Sequence, residues 1–315
     1  MKKSPSKICG ANKLPLITQM NADIEWEIKM GDFLHKLGKE LMIFDGAYGT
    51  EMARRGLSIA SPELLNLTAK DEIANIHKSY IDAGCDFITT NTFGANKTNV
   101  NPENLQAIIG SAIELAKRYR TTQYIIFDIG PLRRMSTPSG NISFDEAYRA
   151  FQEVVLIARD HVDGFLLETF YDLEELRCAM LAVKENSDKP VFTTMTFGKS
   201  GLTYTGASPR EMAELMSELG AAAIGANCSF GPESLLPVVE EFVQYSNKPL
   251  IMQPNLGLPQ MIEGKAVYNL SVEDFYKYMN EFYRRGVSVL GGCCGTTPEY
   301  IRAIAALKGR KTANG

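Results

Sequence analysis

Eight short apolar segments recur along the chain, at Leu41–Asp45, Phe87–Thr92, Tyr124–Ile129, Gly164–Thr169, Val191–Phe197, Ala222–Cys228, Leu250–Asn255 and Val287–Cys294. Each is bounded by Gly, Pro, Asp or Asn and is too short for a helix, so each predicts a strand. They run almost continuously apolar instead of alternating, the pattern of a parallel sheet covered on both faces. Stretches of helical periodicity separate them. Capping-box spacings open three of these, at Thr68–Asp71, Ser143–Glu146 and Ser271–Asp274. Ser208-Pro209 and Thr297-Pro298 pair a capping hydroxyl with proline at the first helical position. Evenly spaced βα units of this number predict a closed (β/α)8 TIM barrel, with an open doubly wound sheet as the structural competitor.

Residues 1–22 show no periodicity and read as a leader. Trp26, Met30, Phe33 and Leu37 then fall on one face of a helix predicted around Ile24–Leu37, with Gly31 a weak point inside it. Such a helix suits the bottom of a barrel. The expected organisation is an N-terminal extension over 1–38 and a single barrel domain over 39–312.

Composition narrows the class. The 315 residues are 45% hydrophobic and 22% charged with a formal net charge of −4, which is ordinary for a globular enzyme. Lys and Arg are scattered among acids, so no basic stripe points to nucleic acid or an anionic membrane. No apolar run approaches the roughly 20 residues that span a bilayer. No apolar core follows Met1-Lys2-Lys3, so a secretory leader is not expected and the cytosol is the expected location. The six cysteines, Cys9, Cys85, Cys178, Cys228, Cys293 and Cys294, are then expected to be reduced. Cys9 reads as incidental.

Chemistry in such a barrel belongs at the C-terminal ends of the strands. Read in order, those ends carry Asp45-Gly46-Ala47-Tyr48-Gly49-Thr50, Thr90-Asn91-Thr92-Phe93-Gly94, Glu168-Thr169, Asn227-Cys228, Pro254-Asn255 and Gly291-Gly292-Cys293-Cys294-Gly295. Cys228, Cys293 and Cys294 are the residues of greatest interest. Three thiolates suit Zn2+ and leave one tetrahedral position open. Adjacent cysteines normally point to opposite sides of a strand, and Gly291, Gly292 and Gly295 are expected to let both sulfurs turn inward. Buried free thiols and a redox-active vicinal pair are the alternatives. Cys85 and Cys178 read as core packing. His35, His77 and His161 lie in helical patterns away from the rim, which argues against histidine-based zinc hydrolysis.

A sulfur-rich zinc centre suits a substrate thiol, which coordination turns into a nucleophile at neutral pH. Glu168 and Asp45 suit an ammonium, and the backbone amides of Gly46, Ala47, Tyr48, Gly49 and Thr50 suit a carboxylate. The alternative is that Asp45 and Glu168 are ion-paired rim residues. Asn255 projects towards the sulfurs from the strand between those that carry them. It could supply a displaceable fourth zinc ligand, or it could only hydrogen-bond its own loop.

These motifs, with Asn227-Cys228-Ser229, Gly231-Pro232 and Gly295-Thr296-Thr297-Pro298, resemble the homocysteine S-methyltransferase family over roughly residues 40–310. The resemblance is closest to the homocysteine-binding module of its cobalamin-dependent branch. It implies zinc on Cys228, Cys293 and Cys294, with homocysteine bound through sulfur. Glu168 would take the amino group with help from Asp45, the turn after the first strand would take the carboxylate, and Asn227 belongs with the substrate residues. The thiolate would attack an activated methyl group, giving methionine. Methylcobalamin on a corrinoid protein or domain is the implied donor, met either by a free-standing subunit or within a longer chain. Betaine- and S-methylmethionine-dependent relatives, and a zinc or thiol sensor without turnover, are the alternatives.

Overall fold

A computed structural model describes residues 33–132, 142–262 and 265–309. The apolar segments become β1 (Met42–Ile43), β2 (Phe87–Thr89), β3 (Tyr124–Ile129), β4 (Gly164–Phe170), β5 (Val191–Met195), β6 (Ala223–Cys228) and β7 (Leu250–Pro254). A hairpin of β8 (Gln260–Ile262) and β9 (Lys265–Val267) follows, and β10 (Val287–Leu290) completes the set. The hairpin strands pair only with each other; the other eight form one sheet in the order β1-β10-β7-β6-β5-β4-β3-β2. Helices follow the strands, so the sheet is wound by βα units throughout.

The two ends of that order meet. Asp86 N–H donates to Ile43 O at 2.7 Å, and the Asp86 carboxylate accepts from Ile43 N–H at 2.8 Å. Higher up, the Asp45 carboxylate accepts from Thr89 N–H at 2.7 Å. Side-chain oxygens therefore complete the seam between β1 and β2, and the sheet is a closed (β/α)8 barrel, not the open alternative.

Alternation within the strands divides the core in two. Ile125, Phe127, Phe165, Leu167, Ile224 and Met252 pack outward against the helices, within one large cluster. Their neighbours Ile126, Leu166, Phe192, Ala223, Ile251 and Val289 face inward with Met42, Phe44, Phe87 and Tyr124, and fill the barrel axis. Phe33 closes this plug from below, its ring 4.9 Å from Tyr124, 5.5 Å from Phe87 and 5.7 Å from Phe192. A wholly buried phenylalanine of this kind typically contributes enough that truncation to alanine costs about 3–5 kcal/mol. Leu37 joins the plug, so the described end of the N-terminal helix does cap the barrel floor. Trp26, Met30, Gly31, Cys9 and the 1–22 leader lie outside the described residues.

Helix starts follow the capping signals with instructive exceptions. Ser143 with Glu146 and Ser208 with Glu211 make reciprocal capping boxes, the second at a position where only the hydroxyl and the proline were expected. Ser271 accepts from Asp274 N–H, but the Asp274 carboxylate returns to the Ser271 hydroxyl instead of to its backbone. The box expected at Thr68 does not form. Thr68 ends a four-residue helix, its hydroxyl donating back to Leu64 O at 3.1 Å, and the next helix starts at Lys70 without a side-chain cap. Thr297 likewise makes no side-chain cap, leaving Pro298 as the start signal.

Candidate functional site

The inward row that forms the plug turns polar one step higher. Two residues beyond Phe87, Ile126, Leu166, Phe192 and Ile251 stand Thr89, Asp128, Glu168, Thr194 and Gln253, and β6 carries Asn227 two residues beyond Gly225. The barrel therefore has a dry aromatic floor under a polar layer, and the cysteines stand at the mouth above it.

Cys228 ends β6 in the left-handed conformation (φ 54°), followed by Ser229 (φ 66°). Such angles are strained for side-chain-bearing residues and persist only where the surroundings impose them. Here the imposing contacts come from β7. Asn255 N–H donates to Cys228 O at 3.2 Å, and the Asn255 carboxamide donates to Ser229 O at 2.9 Å. Its oxygen accepts from Cys294 N–H at 2.9 Å. Cys293 N–H donates to Pro254 O at 3.0 Å. The result is a sulfur cluster: Cys228 Sγ lies 3.5 Å from Cys293 Sγ and 3.9 Å from Cys294 Sγ.

Of the glycines around the pair, Gly295 has the expected backbone freedom, while Gly292 matters for space. Gly295 is left-handed (φ 91°), and the Tyr268 ring covers it so closely that a Cβ would stand 2.7 Å from the ring. At Gly292 the constraint is space, since a Cβ would meet Thr296 Oγ1 at 2.4 Å. The loop folds back on itself there, with Thr296 N–H and hydroxyl both donating to Cys293 O.

Three sulfurs with this spacing fit a tetrahedral ion. Zinc with bonds of about 2.3 Å to sulfur separates its ligand sulfurs by about 3.8 Å. Hydrogen bonds from Cys228 and Cys293, with a further one from Tyr268, pull the Cys294 thiol down to about 3, while Cys293 is pushed well above the usual thiol range. One thiolate is thus already favoured in the cluster. Tyr268, at the exit of the hairpin, was not anticipated: a lone tyrosine in an exposed connection carries no sequence signal for what its hydroxyl will meet. Cys85 and Cys178 are buried away from the cluster, as expected of core residues.

Glu168 joins the cluster through Asn227. The Asn227 amide donates to Glu168 Oε2 at 3.1 Å and to Thr169 Oγ1 at 2.7 Å, while its oxygen accepts from Thr169 N–H at 2.8 Å. Asn227 is fully buried, and its carboxamide is divided between the Glu168 carboxylate and the Thr169 backbone and hydroxyl, which ties the end of β4 to β6. Burial, with the charges of Asp45 and Cys294, pushes Glu168 up to about 8.

Asp45 sits deeper than a rim residue. Besides Thr89 N–H, its carboxylate accepts from the Thr89 hydroxyl at 3.0 Å and from Tyr48 OH at 2.6 Å. Burial nevertheless raises it to about 6 against these bonds. Because Tyr48 OH donates to Asp45, the 2.8 Å contact with His77 Nδ1 requires the imidazole proton on Nδ1. His77 is therefore tied to the site through Tyr48, contrary to the expectation that all three histidines stand apart; burial lowers it to about 3. Neither Asp45 nor Glu168 is ion-paired among the described residues, so the ion-paired alternative falls.

The turn after β1 is partly committed to structure. Gly46 packs against Thr296 and Tyr80, Ala47 N–H donates to Thr296 O, and the Thr50 hydroxyl accepts from Gly295 N–H. Tyr48, Gly49 and Thr50 form the first turn of the helix Tyr48–Arg54, whose leading amides have no intrahelical acceptor. Those amides, not that of Ala47, remain for an anion.

The fold and the mouth together define a (β/α)8 barrel that carries a three-cysteine cluster beside a half-buried glutamate. The family model described as homocysteine S-methyltransferase matches residues 42–307, and the chain belongs to that family. Methionine synthases of Mycobacterium tuberculosis and Mycobacterium leprae are 30% and 29% identical to it over 87% and 89% of this chain. The chain spans about a quarter of the length of these relatives, with 25% of each covered. The homocysteine methyltransferase MmuM from Escherichia coli, in its metallated form, superposes with a TM-score of 0.72 at 20% identity, covering 88% of this chain and 99% of that one.

Proposed function

We propose that this chain binds zinc through Cys228, Cys293 and Cys294 and methylates homocysteine to methionine, drawing the methyl group from a methyl-corrinoid. The observation that carries the reading is the sulfur cluster, spaced for a tetrahedral ion and set beside a half-buried glutamate that no cation pairs among the described residues. Zinc held there would supply the Lewis acidity that keeps a substrate thiol deprotonated at neutral pH. Glu168 accepts the substrate ammonium, and Asn227 holds it in place for that contact. The amides of the Tyr48–Thr50 turn receive the carboxylate. With both ends of the amino acid fixed, its sulfur meets the methyl carbon in line. The new sulfur–carbon bond forms as the bond from the methyl group to its carrier breaks, the carrier keeping the electron pair.

Two things support a large donor over a small one. The curated relatives at about 30% identity are methionine synthases. The rim near Ser229 also presents Leu202, Tyr204 and Leu258 to solvent, an apolar surface suited to a bulky face. No helix among the described residues is long and apolar enough to cross a membrane. The test is turnover by purified zinc-loaded protein with homocysteine and methylcobalamin, betaine or S-methylmethionine. Methionine formed from methylcobalamin alone supports the proposal. Turnover only with betaine or S-methylmethionine overturns the donor, and turnover with none overturns the activity.

A further inference from the structure

We propose that Asp128, the last residue but one of β3, is the second carboxylate that receives the substrate's ammonium group, beside Glu168. The inference deepens the function proposed above and rests on it, because it assumes an α-amino thiol in the barrel.

The placement follows from strand parity. Ile126 belongs to the inward plug and Phe127 to the outward core, so Asp128 faces inward one layer above the floor. In the β3–β4 ladder Asp128 pairs with Leu166, another inward residue, and Glu168 stands two residues further along β4 on the same face. The two carboxylates are therefore neighbours on one wall of the cavity, with Glu168 a step nearer the sulfurs.

Asp128 is built to receive something. It is only 6% exposed, and its Oδ1 has no hydrogen-bond partner. Buried polar atoms are almost always paired, and a buried carboxylate oxygen without a donor is among the most costly exceptions. The same polar layer leaves Thr194 Oγ1 and Gln253 Oε1 without partners as well. A floor lined with unmet oxygens calls for a ligand that donates.

Asp45, the other candidate, is already occupied. Thr89 N–H and Tyr48 OH converge on its Oδ2, the Thr89 hydroxyl reaches both oxygens, and breaking these bonds would open the seam between β1 and β2. Charge leads to the same assignment. Asp128 lies within the field of Glu168, Asp45 and Glu63, and no cationic side chain pairs with it or with Glu168 among the described residues. Burial, with the charges of Glu168, Asp45 and Glu63, holds Asp128 well above the carboxylate range, and burial with the charges of Asp45 and Cys294 raises Glu168. A positive group between Asp128 and Glu168 relieves that, and an ammonium brings three donors to do so.

The consequence is selectivity: the pocket should favour thiols that carry an α-ammonium over thiols that lack it. Zinc-loaded full-length chain is titrated calorimetrically with L-homocysteine and with 4-sulfanylbutanoate, the same thiol acid without its amino group. Asp128→Asn should weaken homocysteine by about tenfold or more, as expected when a hydrogen bond to a charged group is lost, and leave 4-sulfanylbutanoate within about twofold of wild type. Unchanged homocysteine affinity, or equal weakening of both thiols, overturns the assignment. A crystal structure of the wild-type protein with homocysteine tests it without any variant: an amino nitrogen within about 3.2 Å of Asp128 supports it, and a longer separation overturns it. Wild-type protein that binds no homocysteine in either experiment overturns the substrate reading itself, an outcome distinct from intact binding that ignores Asp128.

Discussion

The side-chain oxygen of Asn255 accepts the backbone N–H of Cys294 at 2.9 Å, while its nitrogen donates to Ser229 O, also at 2.9 Å. One carboxamide thereby clamps together the two loops that carry the sulfurs. Of the two roles open to Asn255 from the sequence, the geometry supports loop tethering and offers no support for a coordinating oxygen. Asn255→Ala would leave a buried donor and a buried acceptor unmet, a cost of about 1–3 kcal/mol for such a group. The variant should still bind one zinc through three thiolates, yet melt lower and surrender the ion faster to a chelator. Wild-type melting and release kinetics would show that the clamp is dispensable.

Each sulfur should matter to metal retention. Cys228→Ser, Cys293→Ser and Cys294→Ser each remove one of three ligands, so each should lose most of the zinc carried by purified reduced protein. Oxidation should release the ion as well, because a disulfide sulfur is no longer a thiolate. Elemental analysis of the three variants and of oxidised protein measures this directly. Full stoichiometry in all of them would reject the site.

Glu168→Gln separates substrate recognition from metal binding. The substitution keeps shape and the contact with Asn227 but removes the charge, so homocysteine affinity should fall about tenfold. Zinc content should not change. Calorimetric titration with wild-type affinity would make Glu168 a structural residue of the rim.

The buried acids give the metal-free protein a defined pH dependence. Asp45 is raised from 3.8 to about 6 and Glu168 from 4.5 to about 8, so both bind protons more tightly folded than unfolded. Well below pH 4 both states hold these protons and no stability is lost. As pH climbs to 8 the unfolded chain releases carboxyl protons that the folded one retains, and the stability these two acids contribute falls. Cys294 and His77, both lowered to about 3, pull the other way, so the informative quantity is a difference: from pH 5 to pH 8 the melting temperature of wild type should fall relative to that of Glu168→Gln. A difference that is level or rising over that range contradicts the assignment.

Much was legible before the chain was folded. Continuous apolar runs can only be buried on two faces, which led to the parallel barrel. The rule that chemistry collects at strand ends then singled out Cys228, Cys293, Cys294 and Glu168. Asp128 escaped that rule because it lies inside a strand, where a lone polar residue in an apolar run carries no obvious meaning. Its shared parity with Ile126 was available in the sequence, but the direction that parity faces was not. Thr68 shows the converse: a correct capping spacing was overruled when its hydroxyl found Leu64 O first.

The order and nature of the strands, the candidate cysteines and the acid beside them were legible in the sequence alone, because period and residue chemistry are local. Only the tertiary structure decided what each polar group spends its bonds on. Asp45 is committed to the seam, Asn227 to Glu168, Asn255 to the cysteine loops, and Cys228 is held in a left-handed turn. These outcomes depend on partners distant in the chain, 26 residues away for Asn255 and Ser229, 44 for Asp45 and Thr89 and 59 for Asn227 and Glu168. A hydrogen bond is directional and short-ranged, so its partner exists only once folding has brought the two strands together.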